Sequence, residues 1–79
     1  MSEKEGKAVR AIVQLRLTTI EYRGLRGPMH YKINPDLNTV TISFPMGGKH
    51  DEYGGWSQVP EGKTIHIGLN YLVLIEEEE

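Results

Sequence analysis

Residues 8–22 read AVRAIVQLRLTTIEY. Val9, Ala11, Val13, Leu15 and Leu17 share one parity, whereas Arg10, Gln14, Arg16 and Thr18 share the other. That alternation is the period-two signature of a half-buried strand. A helical stripe through Val9, Ile12, Val13, Leu17 and Ile20 competes with it. Leu15 sits badly on that stripe, and the Thr18-Thr19-Ile20 run is β-branched, which suits a pleated surface better than a helix. The segment is therefore expected to be one long strand, and the fold all-β. A helix over 8–22 would make it α+β instead.

Moving outward, Arg23-Gly-Leu-Arg-Gly-Pro28 interrupts the pattern with two glycines and a proline and reads as a loop. Met29, Tyr31 and Ile33 alternate with His30 and Lys32, predicting a strand over 29–34. Asn34-Pro-Asp-Leu-Asn38 has turn chemistry: Pro35 presets φ, and the Asn and Asp side chains can bond nearby amides or tolerate left-handed backbone. Val40, Ile42 and Phe44 then alternate with Thr39, Thr41 and Ser43, so 39–45 closes a hairpin. Trp56–Val59 reads as a short strand and Pro60-Glu-Gly-Lys63 as a tight turn. Residues 64–75 form the last strand, with Ile65, Ile67, Leu69, Tyr71, Val73 and Ile75 on one face. Five strands with short turns predict a small antiparallel barrel or sandwich, SH3-like or OB-like. Residues 1–79 are expected to make a single small domain, with 1–6 and 76–79 disordered.

Composition narrows the function classes. The 79 residues include no cysteine, which excludes disulfides and thiolate metal sites. No apolar run approaches the ~20 residues of a membrane-spanning helix, and the N-terminal residues show no apolar signal-peptide core, so a cytoplasmic location without membrane contact is expected. The net charge of −2 is unevenly spread: residues 7–34 carry Lys7, Arg10, Arg16, Arg23, Arg26 and Lys32 against Glu21, and the chain ends in Glu76–Glu79, an acidic tail. A small chain without a staple can gain stability by burying surface against a copy of itself. Ile12, Ile20, Leu72 and Leu74 lie on the parity opposite the main core set and are the candidate homo-oligomer interface. The competing reading has the curled sheet cover them internally.

The richest polar stretch is Met46–Gly55, where two glycine pairs bracket Lys49, His50, Asp51, Glu52 and Tyr53. A phosphate loop fails on spacing: position 43 is Ser where a glycine would stand, and His50 replaces the Ser or Thr that would reach magnesium. A metal site drawing on His30, His50 and His66 lacks any fixed-geometry pair, since these histidines are 20 and 16 residues apart. Acid–base catalysis would need two titratable groups held at different pKa values on a rigid frame. Asp51 and Glu52 are neighbours on a loop, so neither catalytic residues nor a cofactor is expected.

Binding is what remains. Trp, Tyr and Arg most often anchor protein interfaces. A loop over 46–56 that presents Lys49, His50, Asp51, Glu52, Tyr53 and Trp56 reads as the recognition element of a regulatory module or small accessory subunit. The alternative is a single-stranded nucleic-acid binder that uses Arg16, Arg23, Arg26, Lys32 and Tyr22, with aromatic side chains as stacking platforms and the acidic tail as a competitor. A third reading is a metal- or small-ligand-binding protein with its site at a subunit interface.

Overall fold

The computed structural model describes residues 3–52 and 54–78. It is an antiparallel, curled sheet of eight strands. In chain order these are β1 (Lys4–Gln14), β2 (Thr19–Gly24), β3 (Met29–Asn34), β4 (Thr39–Phe44), β5 (Gly48–Glu52), β6 (Gly55–Val59), β7 (Lys63–Gly68) and β8 (Leu72–Glu77), with a 3-10 turn over Leu69–Tyr71 before β8. The helical alternative for 8–22, and with it the α+β fold, does not hold.

β1 is the spine. Its N-terminal half pairs with β3 (Lys4↔Ile33 to Ala8↔Met29) and its C-terminal half with β2 (Arg10↔Arg23 to Gln14↔Thr19). Ala8 and Ala11 also face β8, through Glu77 and Ile75, so β8 occupies the opposite side of β1 from both partners. β2 and β3 thus follow one another along one edge of β1, and the loop between them falls beside Val9. Two lobes diverge from that point, β1–β2–β5–β6 and β1–β3–β4–β7. Among the described residues no pairing joins β6 to β7, which leaves a half-barrel with an open side.

The core lies in the curl. Phe44, Met29, Ile42, Val13 and Val40 are its largest fully buried side chains, each stabilising the fold by roughly 1.5–3 kcal/mol. Ala8, Ala11, Ile20, Tyr31 and Val59 complete the buried set, and Tyr22, Ile33, Ile65, Ile67, Leu72 and Ile75 pack around the core. Gly48 provides a flat place for Phe44, since a side chain there would collide with the Phe44 ring. Gly47 takes φ +78° in the turn before β5. These roles explain the glycine pair without a phosphate.

The 29–44 hairpin follows its turn chemistry. The Asn34 side-chain oxygen accepts hydrogen bonds from the amides of Asp36 and Leu37 at 3.1 and 3.2 Å, and Asn38 is left-handed at φ 54°. Elsewhere the expected strands divide, turning five into eight. The 8–22 strand folds back at Leu15–Thr18, where the two residues exchange backbone hydrogen bonds of 2.8 and 3.4 Å. The 64–75 strand is split by the 3-10 turn, and the expected 46–56 loop is mostly a hairpin of β5 and β6. Of the ends expected outside the fold, Lys4–Gly6 belong to β1 and Glu76 and Glu77 to β8, and the Glu78 amide bonds to the Lys7 carbonyl at 3.0 Å.

Two bulges reset the parity. Val9 is the extra residue between the pairs Ala8↔Glu77 and Arg10↔Glu76, and Val73 the extra residue between Val13↔Leu72 and Ile12↔Leu74. An extra residue turns the following side chains to the other face. Val9 and Val73 accordingly leave the core, at 39% and 61% exposed. Leu17, at the tip of the 15–18 turn, is 96% exposed, whereas Ile20 is buried at 8%.

Candidate functional site

Strand alternation divides the polar stretch between two surfaces. Gly48, His50 and Glu52 face the inside of the curl, opposite Val59, Ser57 and Gly55 of β6. Lys49 and Asp51 face outward, opposite Gln58 and Trp56. Tyr53 lies outside the described residues. Glu52 pairs with Gly55, and Gly54 turns the chain at φ +83°, so the outward groups sit on paired strands.

The outer surface has two cross-strand rows. One runs Glu76–Arg10–Arg23–Lys49–Gln58 and the other Leu74–Ile12–Glu21–Asp51–Trp56. Trp56, the chain's one tryptophan, remains 46% exposed at the end of the second row. Lys49 Nζ is 4.8 Å and the Arg23 guanidinium carbon 5.8 Å from its ring centroid. Ammonium and guanidinium groups are drawn to the negative face of an indole. Arg23 Nε also meets Glu21 Oε2 at 2.6 Å, and Arg10 reaches the same carboxylate oxygen at 3.9 Å. Arg10 Nε lies 3.1 Å from Glu76 Oε1, an ion pair by distance but without hydrogen-bond alignment. Asp51 Oδ1 is enclosed and receives no hydrogen bond among the described residues. Arg10, Arg23 and Lys49 balance Glu21, Asp51 and Glu76, so the face has no net charge.

The inner surface is an aromatic-sided cleft of about 210 Å³, lined by Ile20, Tyr22, Phe44, Val59 and Ile65 with His50, Glu52 and Lys63 among its polar groups. The Tyr22 ring stands 6.0 Å from both the Phe44 and the His50 rings. Burial, and secondarily the Glu52 carboxylate, push the Tyr22 hydroxyl's pKa up. A larger depression of about 500 Å³ crosses the outer face of the other lobe, along Lys7, His30, Lys32, Thr41 and Ser43. It has no exposed aromatic anchor, since its one aromatic lining residue, Tyr31, is buried.

The remaining sequence candidates do not converge. Arg16 sits in the 15–18 turn, Arg26 in the 25–28 loop, and Lys32 on the outer face of β3, 3.5 Å from Glu3. Tyr22 faces inward, and Tyr31 is buried with its hydroxyl on Glu77. His30 and His66 lie on the outer face of the β3–β4–β7 lobe, where Thr41 Oγ1 and His66 Nδ1 are 3.0 Å apart, whereas His50 faces the cleft. No cluster of three metal-ligating groups exists among the described residues. Of the candidate oligomer set, Ile20 is buried in the core and Leu72 packs against it, while Ile12 and Leu74 pair on the outer face. Among the described residues, no helix is long and apolar enough to cross a membrane.

The chain matches no protein family, no curated protein and no solved structure. Sequence reasoning named Lys49, Asp51 and Trp56 but assigned Arg23 to a different site. The Arg23↔Lys49 pairing brings it to Trp56, and that register arises between strands far apart in the chain.

Proposed function

We propose that this protein is a non-enzymatic binding module that recognises another protein through the outer face of the β5–β6 hairpin. The carrying observation is Trp56, half exposed on a paired strand with Lys49 and Arg23 against its ring. A large aromatic side chain held by strand pairing loses little conformational freedom on binding, and it is the residue type that dominates interface energetics. The face's charge balance favours a protein over nucleic acid, whose binding depends on net cationic neutralisation of phosphates. A regulatory or accessory role in the cytoplasm fits a chain of this size without cysteine.

The barrel type belongs to the same reading. With β2, β5 and β6 set aside, the path β8–β1–β3–β4–β7 follows the order of the chain, with the last strand beside the first. This meander supports an SH3-like barrel, with β2 and the β5–β6 hairpin as additions, over an OB-like Greek key.

The test is affinity capture by the wild type, Trp56→Ala, Lys49→Ala and Leu37→Ala, with the captured protein then titrated against Trp56 fluorescence. Capture is expected for the wild type and Leu37→Ala, weakened for Lys49→Ala and lost for Trp56→Ala. Capture that survives Trp56→Ala overturns the reading. So does salt-sensitive binding of a labelled single-stranded oligonucleotide in place of protein capture.

A further inference from the structure

β8 is an edge strand of unusual character. It pairs with β1 alone, and no other strand bonds to its outer edge among the described residues. The other two edges are blunted on at least one face. β7 alternates Thr64 and His66 outward against Ile65 and Ile67 inward, and β6 offers Ser57 and Gln58. In β8, by contrast, Leu72–Ile75 are four consecutive apolar residues, so both faces of that half of the strand are apolar.

Exposed apolar side chains collect along this edge. Tyr71 is 44%, Val73 61% and Leu74 36% exposed, and Leu74 lies opposite the half-buried Ile12. Val9, the other bulge residue, adds a further exposed group beside the Glu76 end of β8. An uncovered edge strand with exposed apolar residues is a template for another strand.

We infer that the β8 edge is a two-fold interface between copies of this chain. Charge placement selects that occupant. β8 runs from the uncharged Leu72–Ile75 into Glu76 and Glu77, with Glu78 directly after it. A second β8 laid antiparallel puts each acidic end beside the other copy's uncharged end and keeps the two acidic runs apart. A two-fold axis near Val73 and Leu74 satisfies this for both copies at once, because an isologous contact brings the same patch to itself. A parallel arrangement would stack Glu76 and Glu77 of the two copies, which stay half exposed beside their own-chain partners Arg10 and Lys4. Leu74 and Trp56 stand at opposite ends of one cross-strand row, four strand pairings apart, so oligomeric state and partner capture are read separately.

The absence of native cysteine makes the test direct. Sedimentation of the wild type is expected to show a concentration-dependent dimer. Leu74→Lys, which places a charge at the centre of the contact, should weaken it by more than about tenfold. Leu74→Cys should form a disulfide-linked dimer on mild oxidation, and Leu37→Cys, on the remote 35–38 turn, should not. Amide exchange of the wild type should show Leu72–Ile75 gaining protection as concentration rises. The exchange and cysteine experiments decide the matter even if Leu74→Lys fails to fold. A wild type that stays monomeric at all concentrations, a dimer that persists in a folded Leu74→Lys, or equal cross-linking at residues 74 and 37 overturns the inference.

Discussion

The Tyr31 hydroxyl donates a 2.7 Å hydrogen bond to Oε1 of Glu77, tying β3 to β8 across the β1 spine. Gly6 makes the reach feasible, because a Cβ there would come within 3.1 Å of the Tyr31 ring and hydroxyl. Lys4 Nζ lies 3.2 Å from the same carboxylate oxygen. The pair leaves a pH signature at both ends of the scale. The hydrogen bond from Tyr31, and then Lys4, lowers the Glu77 pKa. The stabilisation is therefore present above the unfolded carboxylate pKa and lost as pH falls through the folded one. Tyr31 is raised from 10.0 to about 12, chiefly by its bond to Glu77. Its contribution is intact below pH 10 and declines as pH rises from there through about 12. Urea midpoints measured against pH should fall at both ends for the wild type. In Tyr31→Phe the acid limb should shrink and the tyrosine-specific part of the alkaline limb should disappear. Identical profiles for the two proteins would show that the bond does not couple to folding.

Gly48 and Gly55 open the two strands of the hairpin and differ in what surrounds them. A Cβ on Gly48 collides with the Phe44 ring and comes within 2.7 Å of the Arg23 carbonyl oxygen. A Cβ on Gly55 meets nothing within 4 Å. Overpacking of this kind typically costs about 1–3 kcal/mol, so Gly48→Ala should lower stability by that amount. Gly55→Ala should stay within about 0.5 kcal/mol of the wild type. Chemical denaturation of both variants checks the difference, and equal costs would contradict the close packing of β4 against β5.

The fold class was legible in the sequence wherever local chemistry and side-chain period agreed. The 29–44 hairpin is the clearest case, since Asn34, Pro35 and Asn38 all specify the turn that joins its strands. The 15–18 turn was not legible, because Leu-Arg-Leu-Thr contains none of the usual turn residues, and it closes through Leu15–Thr18 backbone bonds together with side-chain bonds of Gln14 and Thr19 that flank it. The Val9 and Val73 bulges likewise carry no side-chain signal and are set by pairing with distant residues. The candidate site shows the same division. Trp56 and Lys49 stood out by type, but the separation of His50 and Glu52 from them required the stretch to be a strand. Placing Arg23 beside Trp56 required the β2–β5 register.

Lys49 and Trp56 are not directly opposite one another, so their ring contact is a diagonal one across β5 and β6. An exposed cation–π pair contributes about 0.5–1 kcal/mol. A double-mutant cycle with Lys49→Ala and Trp56→Ala should return a coupling energy of that size in unfolding free energy. Each single variant should remain folded, because neither residue belongs to the core. A coupling of zero would mean that Lys49 does not hold the indole, and that any loss of partner binding in Lys49→Ala has another origin.

Leu17 and Ile20 exchange the roles that the alternation in 8–22 suggests for them. Leu17 has the parity of the expected core but lies at a turn tip, whereas Ile20 has the opposite parity and is buried opposite Val13. The 15–18 turn causes the exchange, since residues beyond it belong to a new strand with its own phase. Removing buried methyl groups costs about 2–5 kcal/mol for Ile→Ala, because transfer and cavity terms add. Ile20→Ala should therefore unfold at clearly lower denaturant than the wild type. Leu17→Ala should shift stability by no more than about 0.5 kcal/mol. The reverse ranking, with Leu17→Ala the costlier change, would restore the single long strand over 8–22 and remove the hairpin on which the inner cleft depends.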